Sequence, residues 1–338
     1  MKLRKLGSSG IDASVIAFGA WAIGGWMWGG ADEKEAIDAI HAALDNGINL
    51  IDTAPIYGFG RSEEIVGKAL KGGWRKKAVV ASKCGLVWEG TEGIHNFDSS
   101  EAIIDGNPRS KYHVYRFLGP KSIRREVENS LKRLGVDVID VMQTHWQEST
   151  TPISETAGEL LKLRQEGKIR AIGCSNATPE QMDEYRKVAP LDVDQEKYSM
   201  LDLTPEKTNL PYCEKNNVAF FAYSPLAQGL LAGAIGPDRV FSDTDQRAHD
   251  ERYSIANRKL IMGFLEEIKP VADKHGLTYG QLVAGWTVSQ PGCSHALLGA
   301  RSVKQVIENA KAGSANLDAE DLAAIRKAMD ARLANFKD

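Results

Sequence analysis

The stretch Pro120–His145, PKSIRREVENSLKRLGVDVIDVMQTH, contains a helix and a strand joined by a single turn. Ile123, Val127, Leu131 and Leu134 recur at three and four residues, which puts apolar side chains on one face of an α-helix. Pro120 suits the first helical turn, where its missing N–H is not needed, and Gly135 supplies the stop. The apolar run that follows, VDVIDVMQTH, reads as a buried strand.

The same unit repeats in both directions along the chain. Before it come a helix over 33–46, a strand over 48–52, a helix over 61–71 and a strand over 77–83. After it come helix 153–166, strand 169–174, helix 178–188, strand 192–196, a helix over 205–216 opened by Thr204-Pro205, and strand 218–223. Helices over 254–275 and 278–289 precede strand 295–298, helix 302–311 follows, and the tail 316–333 is helical with Asn316 as its cap. Strands alternating with helices in this way imply parallel pairing through right-handed crossovers. Both a doubly wound sheet and a barrel satisfy that pattern. The Rossmann form of the doubly wound sheet lacks its fingerprint, since no GxGxxG stands at a strand-to-helix turn, and Gly24-Gly25 and Gly29-Gly30 have the wrong spacing. Two connections, 84–118 and 224–253, are too long for tight turns and read as functional loops.

Composition narrows the class. The chain has 338 residues, 43% hydrophobic and 26% charged, with a net charge of -3, which gives no reason to expect nucleic acid or an anionic membrane as partner. Cys84, Cys174, Cys213 and Cys293 are far apart and lack metal-ligand spacing, so they read as reduced thiols and no metal is expected. The start MKLRKLGSSG has no apolar run of a secretory signal, and no stretch approaches a membrane span. The expectation is a cytoplasmic protein, with a homo-oligomer left open.

Polar residues at strand ends carry the chemistry. Asp52 ends what reads as the first barrel strand, Tyr57 follows in DTAPIYG, Lys83 ends the next strand, and His145 ends the third in MQTHW. A phenol with a reference pKa of about 10 exchanges protons more easily beside an ammonium, and a carboxylate behind that ammonium keeps it charged. A neutral histidine can donate to an oxygen gaining negative charge. The set suits proton-coupled addition to a carbonyl and suits a metal badly. Singly, each residue has a plainer reading: Asp52 as a turn cap, Lys83 as a solvated charge, His145 as a satisfied core histidine. Their joint placement favours catalysis.

The four residues match, in order and spacing, the catalytic tetrad of the aldo-keto reductase family. GINLIDTAPIYGFGRSEEIVGKAL (47–70) resembles the family's first signature, and 123–145 resembles its second; the similarity runs over essentially the whole chain, toward the bacterial and potassium-channel β-subunit-like branch. The resemblance implies a single (β/α)8 TIM-barrel domain over 1–338, of the α/β class, with a short N-terminal β-hairpin and long loops on the C-terminal face. It implies an NADP(H)-dependent oxidoreductase interconverting an aldehyde, ketone or sugar carbonyl with its alcohol, Tyr57 being the proton donor. Ser175, Asn176 and Gln195 match the residues that hold the nicotinamide carboxamide, and Tyr223 the ring beneath it. Ser224, Leu226, Gln228, Gly229 and Leu231 resemble the pyrophosphate strap; Gly299, Arg301, Gln305, Glu308 and Asn309 resemble the adenosine-phosphate segment, and Trp21 completes the cofactor set. Trp26, Trp28 and Trp88 are the candidates for substrate contact.

Three positions depart from common relatives. Ala234 and Gln305 stand where many have Lys and Arg, which weakens discrimination of the 2′-phosphate; Arg301 still offers phosphate a bidentate fork, so NADP(H) is preferred with NAD(H) left open. Leu203 stands where an arginine is common. Two other functions share the fold: a cofactor-sensing regulatory subunit with slow turnover, and a Schiff-base aldolase on Lys83.

Overall fold

The short apolar runs between amphipathic helices are too hydrophobic to face water on either side, and they close on themselves. The computed structural model describes residues 1–28, 32–99, 103–104, 107–108, 111–241 and 245–337. Eight parallel strands form a closed barrel: β1 Ile16–Gly19, β2 Leu50–Asp52, β3 Val79–Cys84, β4 Ile139–Thr144, β5 Ile169–Ser175, β6 Val193–Lys197, β7 Ala219–Tyr223 and β8 Cys293–Gly299. Neighbours pair in chain order, and Leu298 of β8 meets Phe18 of β1 to complete the ring. The strand ending at Asp52 is therefore the second barrel strand, not the first. The sequence pattern hides this because β1 follows the hairpin strand Asp12–Ser14 after Val15 alone, so the two read as one run.

The hairpin, Leu3–Lys5 against Asp12–Ser14, forms the barrel's floor. Leu6, Ile11 and Ala13 pack with the inward residues Ala17, Leu50, Ala81, Val141, Ala171 and Phe221. Full burial of a side chain such as Leu6 contributes roughly 1.5–3 kcal/mol. Gly7 (φ 51°) lets the turn lie on β6, since a Cβ there would come 2.6 Å from the Asp192 carbonyl oxygen.

Outside the barrel, the helices bury their apolar faces as the periodicity requires. Pro120–Leu134 ends at Gly135 in the left-handed region (φ 62°), and Pro179–Arg186 opens on a capping box between Thr178 and Gln181. Two details differ from the sequence reading. The helix over 205–216 is broken at Thr208 into a 3-10 turn, Thr204–Lys207, and a helix, Asn209–Asn216. Asn209 is drawn inward there, its amide donating to Ala177 O and Asp194. The last helix, Ala319–Arg332, is capped by Asp318 rather than Asn316, because Asp318 and Asp321 bond each other's backbone reciprocally. That helix and Ile255–His275 share one apolar cluster beside β7.

The segment 84–118 carries secondary structure of its own. Leu86–Val87, Ile94–Asp98 and His113–Arg116 form a three-stranded antiparallel sheet with His113–Arg116 in the centre. Within 224–253 the described residues form three 3-10 segments, Ala227–Ala232, Gln246–Ala248 and Glu251–Tyr253. No helix among the described residues is long and apolar enough to cross a membrane.

Candidate active site

A parallel barrel gathers its strand C-termini at one mouth, and five strands bring polar residues there. Asp52 ends β2, Lys83 stands one residue before the end of β3, His145 follows β4, Gln195 lies on β6 and Tyr223 ends β7. The Lys83 ammonium donates to both Asp52 oxygens at 3.0 and 2.8 Å, to Thr53 O at 3.1 Å and to the Tyr57 hydroxyl at 3.1 Å. Lys83 is 1% exposed and Asp52 3%, a pairing that stands in low dielectric only because further donors complete it. Gln195 supplies one at 2.9 Å and Gln143 a longer one at 3.4 Å. Gln143 was not singled out from the sequence, although a residue two before His145 on a strand faces the same way. The His145 ring stands edge-on to Tyr57 with centroids 5.9 Å apart.

The electrostatics follow from this geometry. Burial raises the Tyr57 pKa above the usual phenol value; Lys83 opposes this and Asp52 adds to it, so the ammonium moderates the phenol without overcoming desolvation. For Lys83, burial works to lower the pKa, but Asp52 and Tyr57 outweigh it and the net shift is upward. The His145 pKa falls well below the usual histidine value, through burial and then the Lys83 charge. The arrangement is a protonated phenol on a charged lysine, facing a neutral imidazole.

Beside it, Ser175 donates to Gln195 O at 2.7 Å, Asn176 donates to His145 O at 2.9 Å, and the Tyr223 hydroxyl donates to Asn176 at 3.0 Å. The nicotinamide-site candidates therefore form one network with the tetrad, and Gln195 is committed to Asp52 through its amide nitrogen. Asn176, Ser224, Ala227 and Gln228 all have positive φ, between 45° and 54°, a conformation non-glycine residues adopt at a cost. Gly229 follows at φ 102°. The strap candidates are thus held in a tight reversal, with Leu226 half-buried and Leu231 fully buried in the core.

Trp28 joins three loops at the other end of the cleft. Its carbonyl accepts from Arg301 at 3.0 Å, its ring meets Trp21 at 5.2 Å, and the Arg247 guanidinium lies 5.5 Å from the ring centroid. Arg247 also pairs with Asp245 at 2.7 Å and donates to Gln228 O at 3.3 Å. The sequence reading missed Arg247 because nothing in SDTDQRAH fixes where that loop folds. Gln305 accepts from the Arg301 backbone N–H, Asn309 donates to Gly299 O and Glu308 accepts from Thr278. Trp26 and Trp88 lie elsewhere, packed on Phe59 in an aromatic wall beside Tyr57. The two loops at Tyr57 touch through glycine: a Cβ on Gly58 would meet Gly24 O at 2.2 Å.

These residues fit a long, phosphate-bearing dinucleotide. The Trp28 indole N–H is buried without a hydrogen-bond partner among the described residues, and no heavy atom of those residues, its own chain neighbours apart, stands within 4 Å of where a Gly299 Cβ would lie. Arg301 and Arg247, the latter paired with Asp245, lie against Trp28.

Comparison with known proteins decides the lineage. Residues 15–330 match the model of the aldo/keto reductase family. The chain belongs to that family. It is an oxidoreductase of a lineage that uses NAD(P)H. An NADH-specific methylglyoxal reductase of Escherichia coli is 40% identical over 98% of this chain and 99% of its own. The glycerol dehydrogenase AKR11B4 of Gluconobacter oxydans superposes with a TM-score of 0.86 at 41% identity, covering 99% of this chain and 97% of that one. An aldo/keto reductase of Klebsiella pneumoniae in complex with NADP and acetate gives a TM-score of 0.71 at 27% identity, covering 97% and 95%. Beside the site, Cys84 and Cys174 are buried free thiols, and burial raises the pKa of both well above the usual thiol value.

Proposed function

We propose that this aldo-keto reductase interconverts a small carbonyl compound and its alcohol, with Tyr57 as the proton donor and acceptor. The carrying observation is the Lys83 ammonium bound at once to Asp52 and to the Tyr57 hydroxyl. NADP(H), when bound, supplies or takes the hydride. Tyr57 hands its proton to the carbonyl oxygen, and Lys83 stabilises the phenolate left behind. Asp52, held by Gln195 and Gln143, keeps Lys83 charged and aimed. His145, neutral through its lowered pKa, donates an N–H to the same oxygen and orients it. Gln195 acts chiefly through Asp52, while Ser175, Asn176 and Tyr223 hold the carboxamide and ring.

Trp21, Ser224, Leu226, Gln228, Gly229, the Leu231 backbone, Gly299, Arg301, Gln305, Glu308 and Asn309 form the remainder of the cofactor groove. Trp28 belongs with them, and Trp26 and Trp88 form the substrate wall. Arg247 supplies the cation that Ala234 and Gln305 do not, so NADP(H) is favoured while NADH remains usable. Methylglyoxal and glycerol, the compounds in the relatives' names, head the substrates to try. The experiment is a fluorescence titration with NADPH and NADH, followed by oxidation of the cofactor with short aldehydes, ketones and sugars. Carbonyl-dependent oxidation at ordinary rates supports the enzyme reading. Tight binding without turnover turns the assignment toward a cofactor sensor, and no binding of either cofactor removes it.

A further inference from the structure

The sheet built from 84–118 has two faces with different chemistry. Inward, Phe97 stacks on Trp26 at 5.7 Å, Val114 is fully buried, and Arg116 lies over Trp146. Outward, His95, Asp98 and His113 are all exposed and offer ligand atoms within 4.8 Å of one another. Among the described residues, this is the one group of three such side chains so arranged.

Regular strand geometry would not put His95 and Asp98 together, because residues three apart on a strand point to opposite faces. The pairing shows what changes this. His113 stands opposite Asp98, Val114 opposite Phe97 and Tyr115 opposite His95, with the register shifting between Val114 and Tyr115. Asn96 is thus the extra residue of a β-bulge, and the bulge returns His95 to the face of Asp98 and His113. A single oxygen, Asp98 Oδ1, then lies 2.7 Å from His95 Nε2 and 2.7 Å from His113 Nδ1.

We propose that His95, Asp98 and His113 bind a divalent transition-metal ion of the zinc type on the outer face of this sheet. Two imidazoles and one carboxylate are a borderline donor set that suits zinc and its neighbours better than magnesium or calcium, which take oxygen. Three protein ligands leave a further position for water. Tetrahedral bonds of roughly 2.0–2.1 Å separate donor atoms by about 3.3 Å. The 2.7 Å contacts must therefore open by about 0.6 Å to reach that tetrahedral separation, within reach of exposed side chains. Both histidines give up their ring hydrogen bonds to the carboxylate and turn those nitrogens to the metal. The ion ties the bulged strand to its partner and so fixes Phe97, on the opposite face, against Trp26. The four cysteines are buried and do not compete for it.

The test is equilibrium dialysis of the untagged full chain, stripped with chelator, against zinc chloride at micromolar free metal. One equivalent per chain is expected, with affinity falling at least tenfold in His95→Ala and in His113→Ala and with no displacement by excess magnesium. Cobalt(II) in place of zinc gives a visible absorption band that both variants lose. Circular dichroism and cofactor titration of the variants confirm that fold and active site persist, which keeps this result separate from the fate of the catalytic assignment. Failure of the parent chain to retain zinc, or equal retention by both variants, overturns the proposal.

Discussion

Lys83, Asp52, Gln195 and Gln143 hang from four strands of one closed sheet, β3, β2, β6 and β4, whereas Trp28, Arg247 and Arg301 reach one another across three loops. The first group is buried, and every member is placed by a backbone ladder that cannot shift without breaking the barrel. The second is held by side chains gripping loop carbonyls and rings, contacts that can be exchanged singly for a ligand. On the proposed function, precision is invested where the proton would move, and adaptability where the cofactor would enter and leave.

Removing a member of the strand-borne group has the largest expected effect. Lys83→Met leaves the Asp52 carboxylate buried without its counter-charge, which costs roughly 3–5 kcal/mol of stability. Turnover falls by about 10²–10⁴ with loss of the group that sets Tyr57 acidity. Denaturant melts and steady-state rates measure both; a variant as stable and active as the parent would show that the pair is ornamental.

On the loop side, Arg247→Ala removes the charge-assisted contact proposed between this side chain and the cofactor, worth about 1.5–3 kcal/mol. The expected result is a rise of roughly 10–100-fold in the NADPH KM, a smaller rise for NADH, and a nearly unchanged kcat. A fall in kcat at saturating cofactor would erase the division between the two regions.

The sequence made these regions unequally legible. Asp52, Lys83 and His145 could be placed from the chain alone because a strand end in a parallel sheet fixes both position and direction, and Tyr57 follows Asp52 on a short loop. The second role of Gln195 could not, since its bond to Asp52 spans 143 residues. Arg247 was hidden because its loop is set by positive-φ turns and ring contacts rather than by periodicity. The sheet in 84–118 escaped notice for a related reason: its strands have two to five residues, and the bulge at Asn96 breaks alternation. The first barrel strand is hidden because its four residues follow the hairpin strand after Val15 alone, so the two read as one run.

Gly58→Ala tests the seam between the regions. The new Cβ would meet Gly24 O at 2.2 Å, and the residue has φ 68°, so the loop must move or strain. A loss of about 1–3 kcal/mol in stability is expected, together with slower turnover as Tyr57 shifts. Unchanged kinetics would show that the Tyr57 loop is positioned independently of residues 21–28.

The smallest effect is on pH dependence. His145 is depressed when folded, while the unfolded chain takes up this proton near pH 6.5. Its contribution to stability is thus present above about 6.5 and lost as pH falls below it. Turnover should show no inflection near 6.5 that disappears in His145→Gln; finding one would mean the ring works as an imidazolium.

Single-turnover reduction by bound NADPH, run side by side on Tyr57→Phe and Arg247→Ala, addresses the central claim most directly. The account predicts that Tyr57→Phe loses the transfer rate by at least a hundredfold at unchanged NADPH affinity, while Arg247→Ala loses affinity and keeps the rate at saturation. A Tyr57→Phe enzyme that transfers hydride at the parental rate would contradict it.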